Sequence, residues 1–190
     1  MKKIVFFLLC LLFLQTITAQ TVQQKVNQFR KDNEAKIIAE YIQFVSIPNV
    51  TKDTVNILRN AAFIKSMMEQ RGIKTELLDG ITPNVSPPVY GEVKVPGAKT
   101  TLIFYAHYDG QPVNPDKWTG GLKPFEPVFI EKPIEQGGKI LNVTGNPSPD
   151  WRVAGRGSAD DKTGVMTIIN AYDALVKTGI PLKHNIKFFF

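Results

Sequence analysis

Apolar residues recur at helical spacing near the start of the chain: Val22, Val26 and Phe29, then Ile37, Ile38, Tyr41, Ile42 and Val45. That period predicts a helix over 22–47. "SIPNV" stops it, because proline disfavours helix in the residue before it. A second amphipathic stretch, 55–71, predicts another helix, closed by Gly72. "KTELLD" and "VYGEVKV" read as strands, with "ITPNVSPP" as the loop between them. "TLIFYA", 101–106, is apolar without alternation, the pattern of a strand buried on both faces of a parallel sheet. Residues 111–155 are rich in Pro, Gly and Asn and read as an elaborated loop with short strand-like pieces such as "PVFIEK". Residues 163–177 predict a third helix, with Gly179 as its stop, and "HNIKFFF" closes the chain as a further apolar strand.

This alternation of helix and strand predicts an α/β domain of three layers, α/β/α, around a mostly parallel central sheet. The chain stops at Phe190, inside what reads as a buried strand. Domain termini usually lie at the surface. The domain is therefore expected to be incomplete at the C-terminus, the sequence being the N-terminal part of a longer protein.

Composition changes this picture in two places. The formal charge is +6, but Lys and Arg are scattered, with no basic stripe carrying interleaved aromatics, so nucleic acid is not an expected partner. Lys2 and Lys3 precede an apolar run from Ile4 to Leu14, and "ITA" offers a cut after Ala19. That arrangement predicts a secretory signal peptide over 1–19 and an exported protein, periplasmic or extracellular. An uncleaved anchor is the alternative, but the run is short for a membrane span, and no stable membrane insertion is expected once the leader is cut. The one cysteine, Cys10, lies in the leader after Leu9, which is not the small residue a lipoprotein needs. The mature chain, 20–190, is left without thiols, so any metal site must use His and carboxylates.

The candidate chemistry sits in two short stretches. In "YAHYDGQPV", His107 and Asp109 follow the strand and lie two residues apart, which puts both side chains on the same side. A carboxylate beside a ligating histidine fixes its tautomer and raises its basicity. In "GRGSADDKTG", Asp160 and Asp161 adjoin between glycines, just ahead of a helix. Helix capping accounts for one aspartate. A phosphate loop fails, because Asp161 stands where a glycine is required and two carboxylates repel phosphate. A carboxylate that bridges two metal ions accounts for the doublet.

Together "YAHYDGQPV", Trp118, "PFEPV", "GRGSADDKTG" and "FVSIPNV" closely resemble the di-zinc metallopeptidases of the M-twenty family: carnosinase-like dipeptidases, glutamate carboxypeptidases, aminoacylases and desuccinylases. The "HYDGQPV" and "PFEPV" variants look most like the dipeptidase branch. The resemblance implies a zinc-exopeptidase-like fold and two Zn2+ ions, with Co2+ or Mn2+ as alternatives. It implies that His107 binds one zinc, that Asp160 bridges both, and that Asp109 is a catalytic residue that sets the basicity of the site. It implies a cis peptide between Asp160 and Asp161. The implied reaction is hydrolysis of a peptide or amide bond through a zinc-bridging water, on a small peptide or an N-acyl amino acid.

In that family a Glu-Glu pair follows the strand that corresponds to "IKFFF". Later come a further acidic ligand, a histidine ligand and a lid or dimerisation domain through which a full-length protein could form a homodimer. None of these stands in the sequence, so the chain by itself is expected to be inactive. The contrasting reading is a truncated, non-catalytic remnant or binding module. His184, the other histidine, does not match the late ligand and reads as a surface residue.

Overall fold

The computed structural model describes residues 20–78, 86–143, 145 and 147–190. The expected leader and most of the "ITPNVSPP" loop lie outside the described residues. Three helices form where the apolar period placed them. Helix α1 spans Val22–Ser46. A capping box opens it: Thr21 accepts from the Gln24 amide, and the Gln24 side chain accepts from the Thr21 amide. Helix α2 spans Thr54–Glu69, capped by Asp53, and α3 spans Lys162–Lys177. No helix among the described residues is long and apolar enough to cross a membrane.

The strands among the described residues are β1 Lys74–Leu77, β2 Val89–Val93, β3 Thr101–Tyr105, β4 Val128–Ile130, β5 Ile140–Leu141, β6 Arg152–Ala154 and β7 Asn185–Phe189. The main sheet has the order β1-β2-β7-β3. Here the expectation of a mostly parallel sheet is corrected. The pairs β1/β2 and β2/β7 are antiparallel, and β3/β7 alone is parallel. The architecture is an α/β sandwich on a mixed, mostly antiparallel sheet. The physical reason lies in the connections. A parallel pair needs a crossover of about a dozen residues or more, usually with a helix. The chain between β3 and β7 contains α3 and supplies one; the link from Leu77 to Val89 is shorter than that length.

A second correction concerns β3. Its apolar run was expected to be buried on both faces, yet Ile103 is 70% exposed and Tyr105 68%. The strand is at the end of the described sheet, with β7 as its partner. Strand β7 alternates instead: Ile186, Phe188 and Phe190 enter the core, while Phe189 faces the other way. They pack against Ile57, Ile64 and Met68 of α2 and Val165, Ile169 and Tyr172 of α3. The Arg71 guanidinium clamps the helices together, with Nη2 2.6 Å from Glu40 of α1 and Nε 3.2 Å from Asp173 of α3.

The stretch expected as an elaborated loop holds a small antiparallel sheet, β5-β4-β6. Strand β6 runs straight into "GRGS", so this sheet delivers the second motif to its place. The Arg156 amide donates to the Pro124 carbonyl at 2.6 Å, which ties "PFEPV" to the same turn.

Candidate metal centre

The first turn of the site grows out of β3. Ala106 and Tyr108 are buried, at 1% and 3% exposure, and the Tyr108 hydroxyl donates to Pro87 O at 2.7 Å. Burial raises the pKa of that phenol, which keeps it a neutral donor. With alternate residues anchored in the core, His107 and Asp109 are turned outward together. His107 Nδ1 lies 3.2 Å from Asp109 Oδ1 and 3.1 Å from the Asp109 carbonyl. The Thr51 hydroxyl lies 3.1 Å from Asp109 Oδ2, on the far side of the carboxylate.

The second turn leads into α3. Its two aspartates divide their work. Asp161 is the N-cap: its side chain accepts from the Gly164 amide. Asp160 makes no cap, and its side chain is 81% exposed. Asp160 Oδ1 lies 3.0 Å from His107 Nε2. The peptide between the aspartates is cis, as the resemblance implied.

The structure therefore brings His107, Asp109 and Asp160 into one cluster, with the imidazole between two carboxylates. Desolvation lowers the pKa of His107. The hydrogen bonds that the Asp109 carbonyl and the Asp160 carboxylate accept from the ring, with the charges of both aspartates, outweigh it and leave the pKa raised. His184 stays apart, exposed and beside Thr100.

The donors fit a zinc ion. Two ligands on one tetrahedral zinc stand about 3.3 Å apart, given bond lengths of about 2.0–2.1 Å. The 3.0 Å between His107 Nε2 and Asp160 Oδ1 is close to that edge. A mixed N/O donor set suits Zn2+ and its neighbours. Among the described residues, no group of three or more His, Cys, Asp or Glu side chains converges on a single ion. His107 and Asp160 thus offer part of a coordination shell.

Three residues around the site were not singled out by sequence reasoning. Lys162 is fully buried, and its Nζ donates to the Phe44 and Ile47 carbonyls, each at 2.7 Å. Its ammonium also lies 4.7 Å from the centre of the Phe44 ring. Asn49 is fully buried too. Thr51 backs Asp109. The one sequence signal for Asn49 is the segment "FVSIPNV", which reads as a helix stop and a family match; Thr51 lies one residue beyond it.

Residues 103–190 match the model of Peptidase family M20/M25/M40. The Cys-Gly metallodipeptidase dug1 of Schizosaccharomyces pombe is 28% identical over 153 residues, which cover 75% of this chain and 28% of that protein. Human carnosine dipeptidase 1 superposes with a TM-score of 0.69 at 22% identity, over 90% of this chain and 34% of its own, a likeness of fold. The metallo-carboxypeptidase Sso-CP2 of Sulfolobus solfataricus gives a TM-score of 0.61 at 27% identity, over 80% of this chain and 30% of its own. The chain thus spans about a third or less of the length of these relatives. Residues 103–190, the stretch that carries His107, Asp109 and Asp160, are thus similar to the peptidases of family M20/M25/M40.

Proposed function

We propose that this chain carries one part of the metal site of an exported, zinc-dependent peptidase of the dipeptidase or carboxypeptidase type. The observation that supports it best is the placement of His107 between Asp109 and Asp160, at 3.2 and 3.0 Å, on two turns that match the family pattern.

In this reading His107 presents Nε2 as a neutral ligand. Asp109 accepts from Nδ1–H, fixes the tautomer and makes the ring a stronger donor. Asp160 uses the carboxylate that Asp161 leaves free of capping duty, and bridges two ions. Its exposure keeps it within reach of a second ion. The zinc pair, when bound, supplies a Lewis acid for the scissile carbonyl and lowers the pKa of water toward neutrality. Small peptides or N-acyl amino acids are the proposed substrates.

The test is hydrolysis of dipeptides by the natural polypeptide that carries this sequence. The expected result is activity abolished by a chelator and restored by Zn2+. Activity that survives complete removal of metal overturns the reading.

A further inference from the structure

We infer that Asn49 is the positioning residue that sets the spacing between the His107 turn and the Asp160 turn. This rests on the reading above, that His107 and Asp160 share a metal site.

Asn49 is fully buried in the segment that follows α1. A buried amide is costly unless its groups are paired. Its Nδ2 donates to the Tyr108 carbonyl at 3.0 Å, but its Oδ1 has no partner among the described residues. An apolar residue would avoid that orphaned acceptor, so stability alone does not explain an asparagine here.

Its contacts do. Toward the first turn, the Asn49 carbonyl accepts from the Gly110 amide at 2.7 Å, and the side chain holds the carbonyl between His107 and Asp109. Toward the second turn, its amide lies against Gly157. A Cβ at Gly157 would stand 2.7 Å from Asn49 Nδ2, and the φ there is +76°. A Cβ at Gly110 would stand 3.1 Å from the same nitrogen. The side chain is a wedge with one glycine on each side, one from each turn. Both glycines let the turns close on the amide.

The neighbouring chain reinforces the wedge. The Thr51 amide donates to the Gly110 carbonyl at 2.9 Å, and the Thr51 hydroxyl reaches Asp109. Upstream, Lys162 at the start of α3 holds the Phe44 and Ile47 carbonyls. Segment 44–51 is therefore fastened to both turns, and neither can shift against the other without moving a buried group. Ligands of one ion must keep their separation to within a few tenths of an ångström, and the Asn49 amide is the part that spans the gap.

The experiment uses the natural full-length polypeptide and its Asn49→Ala variant. Zinc affinity is measured by competition with a chromophoric chelator, the ligand field by the visible spectrum of the Co2+ form, and folding by thermal melting. Asn49→Ala is expected to remain folded, to bind zinc roughly 10- to 100-fold more weakly and to show an altered cobalt spectrum. Ile64→Ala, in the core on α2, is the control: it should lower the melting temperature and leave affinity and spectrum unchanged. Should Asn49→Ala not fold, Gly110→Ala, whose methyl group presses on Asn49 Nδ2 and on the Arg156 guanidinium beside it, is expected to weaken zinc binding several-fold, and unchanged affinity in that variant overturns the inference. Unchanged affinity and spectrum in a folded Asn49→Ala overturn it as well. So does an equal affinity loss in Ile64→Ala. An unsubstituted protein that takes up neither metal refutes the site itself, and the positioning role falls with it.

Discussion

His107 Nε2 and Asp160 Oδ1 lie 3.0 Å apart although 53 residues separate them in the chain. The parallel β3/β7 pair is responsible. Strand β3 ends at Tyr105, α3 begins at Lys162, and α3 packs on β3. The C-terminal end of the strand and the N-terminal end of the helix therefore open at the same edge. His107→Ala and Asp160→Ala each remove a proposed ligand. Both are expected to lose more metal affinity than the roughly 10- to 100-fold that a change behind the ligands costs. Asp109→Asn, one step back, should fall within that range. Metal titration of the three variants checks the order. Equal, small losses in all three would remove the distinction between ligand and support.

The division of labour within the aspartate doublet gives a separate prediction. Asp161 caps α3 and Asp160 does not. Loss of an N-cap costs about 1 kcal/mol. Asp161→Ala is therefore expected to lower stability by about that much in a denaturant melt. Asp160→Ala, with its side chain 81% exposed, should leave the melt unchanged in the presence of a chelator. A destabilised Asp160→Ala would mean that the exposed carboxylate has a structural task.

Much of this was legible in the sequence, and the failures have physical causes. The helices were readable because Val26, Phe29, Ile37, Ile38 and Tyr41 keep a helical period. The nearness of His107, Asp109 and Asp160 was readable because "YAHYDGQPV" and "GRGSADDKTG" together resemble one family pattern. Strand direction was not. A continuous apolar run such as "TLIFYA" reports hydrophobicity, not what covers it, and β3 is exposed in the described chain. Strands β5 and β6, at two and three residues, are too short to show a period. Asn49 and Lys162 were missed because their roles depend on carbonyl groups that sequence does not display: Tyr108 O for one, Phe44 O and Ile47 O for the other.

Arg71 carries a prediction about the scaffold. Its side chain is 8% exposed and faces Glu40 and Asp173, each 16% exposed. The Glu40 contact is a true pair of hydrogen bonds, at 2.6 and 3.1 Å. The Asp173 contact, at 3.2 Å from Nε, lacks hydrogen-bond alignment and is the weaker one. Removal of one partner from a buried ion pair leaves uncompensated charge and costs roughly 3–5 kcal/mol. The weak second arm and residual solvent place Arg71→Ala near the lower end. Chemical denaturation is the measurement. Glu40→Gln should be costlier than Asp173→Asn, and the reverse order would mean that the arm to α3 dominates.

Lys162 links the fold to pH. Burial lowers its pKa from 10.5 to about 7. The unfolded chain keeps the ordinary value, so between about pH 7 and 10.5 it binds more protons at this residue than the folded chain does. Stability must rise with pH wherever the unfolded state holds the extra proton. The contribution is complete above the unfolded value and is lost as pH falls through the folded one. Below about pH 7 both states are protonated, and the cost of the buried charge is constant. Lys162→Met removes the titration. It also leaves the Phe44 and Ile47 carbonyls without their donor, but that is a fixed offset rather than a slope. Thermal melts of both proteins at several pH values, with a chelator present, separate the two effects. The stability difference between the natural protein and Lys162→Met is expected to grow in favour of the natural protein from about pH 7 toward pH 10. Curves that stay parallel across that window would mean that the two carbonyls and the Phe44 ring hold the ammonium charged throughout, and that its burial is fully compensated.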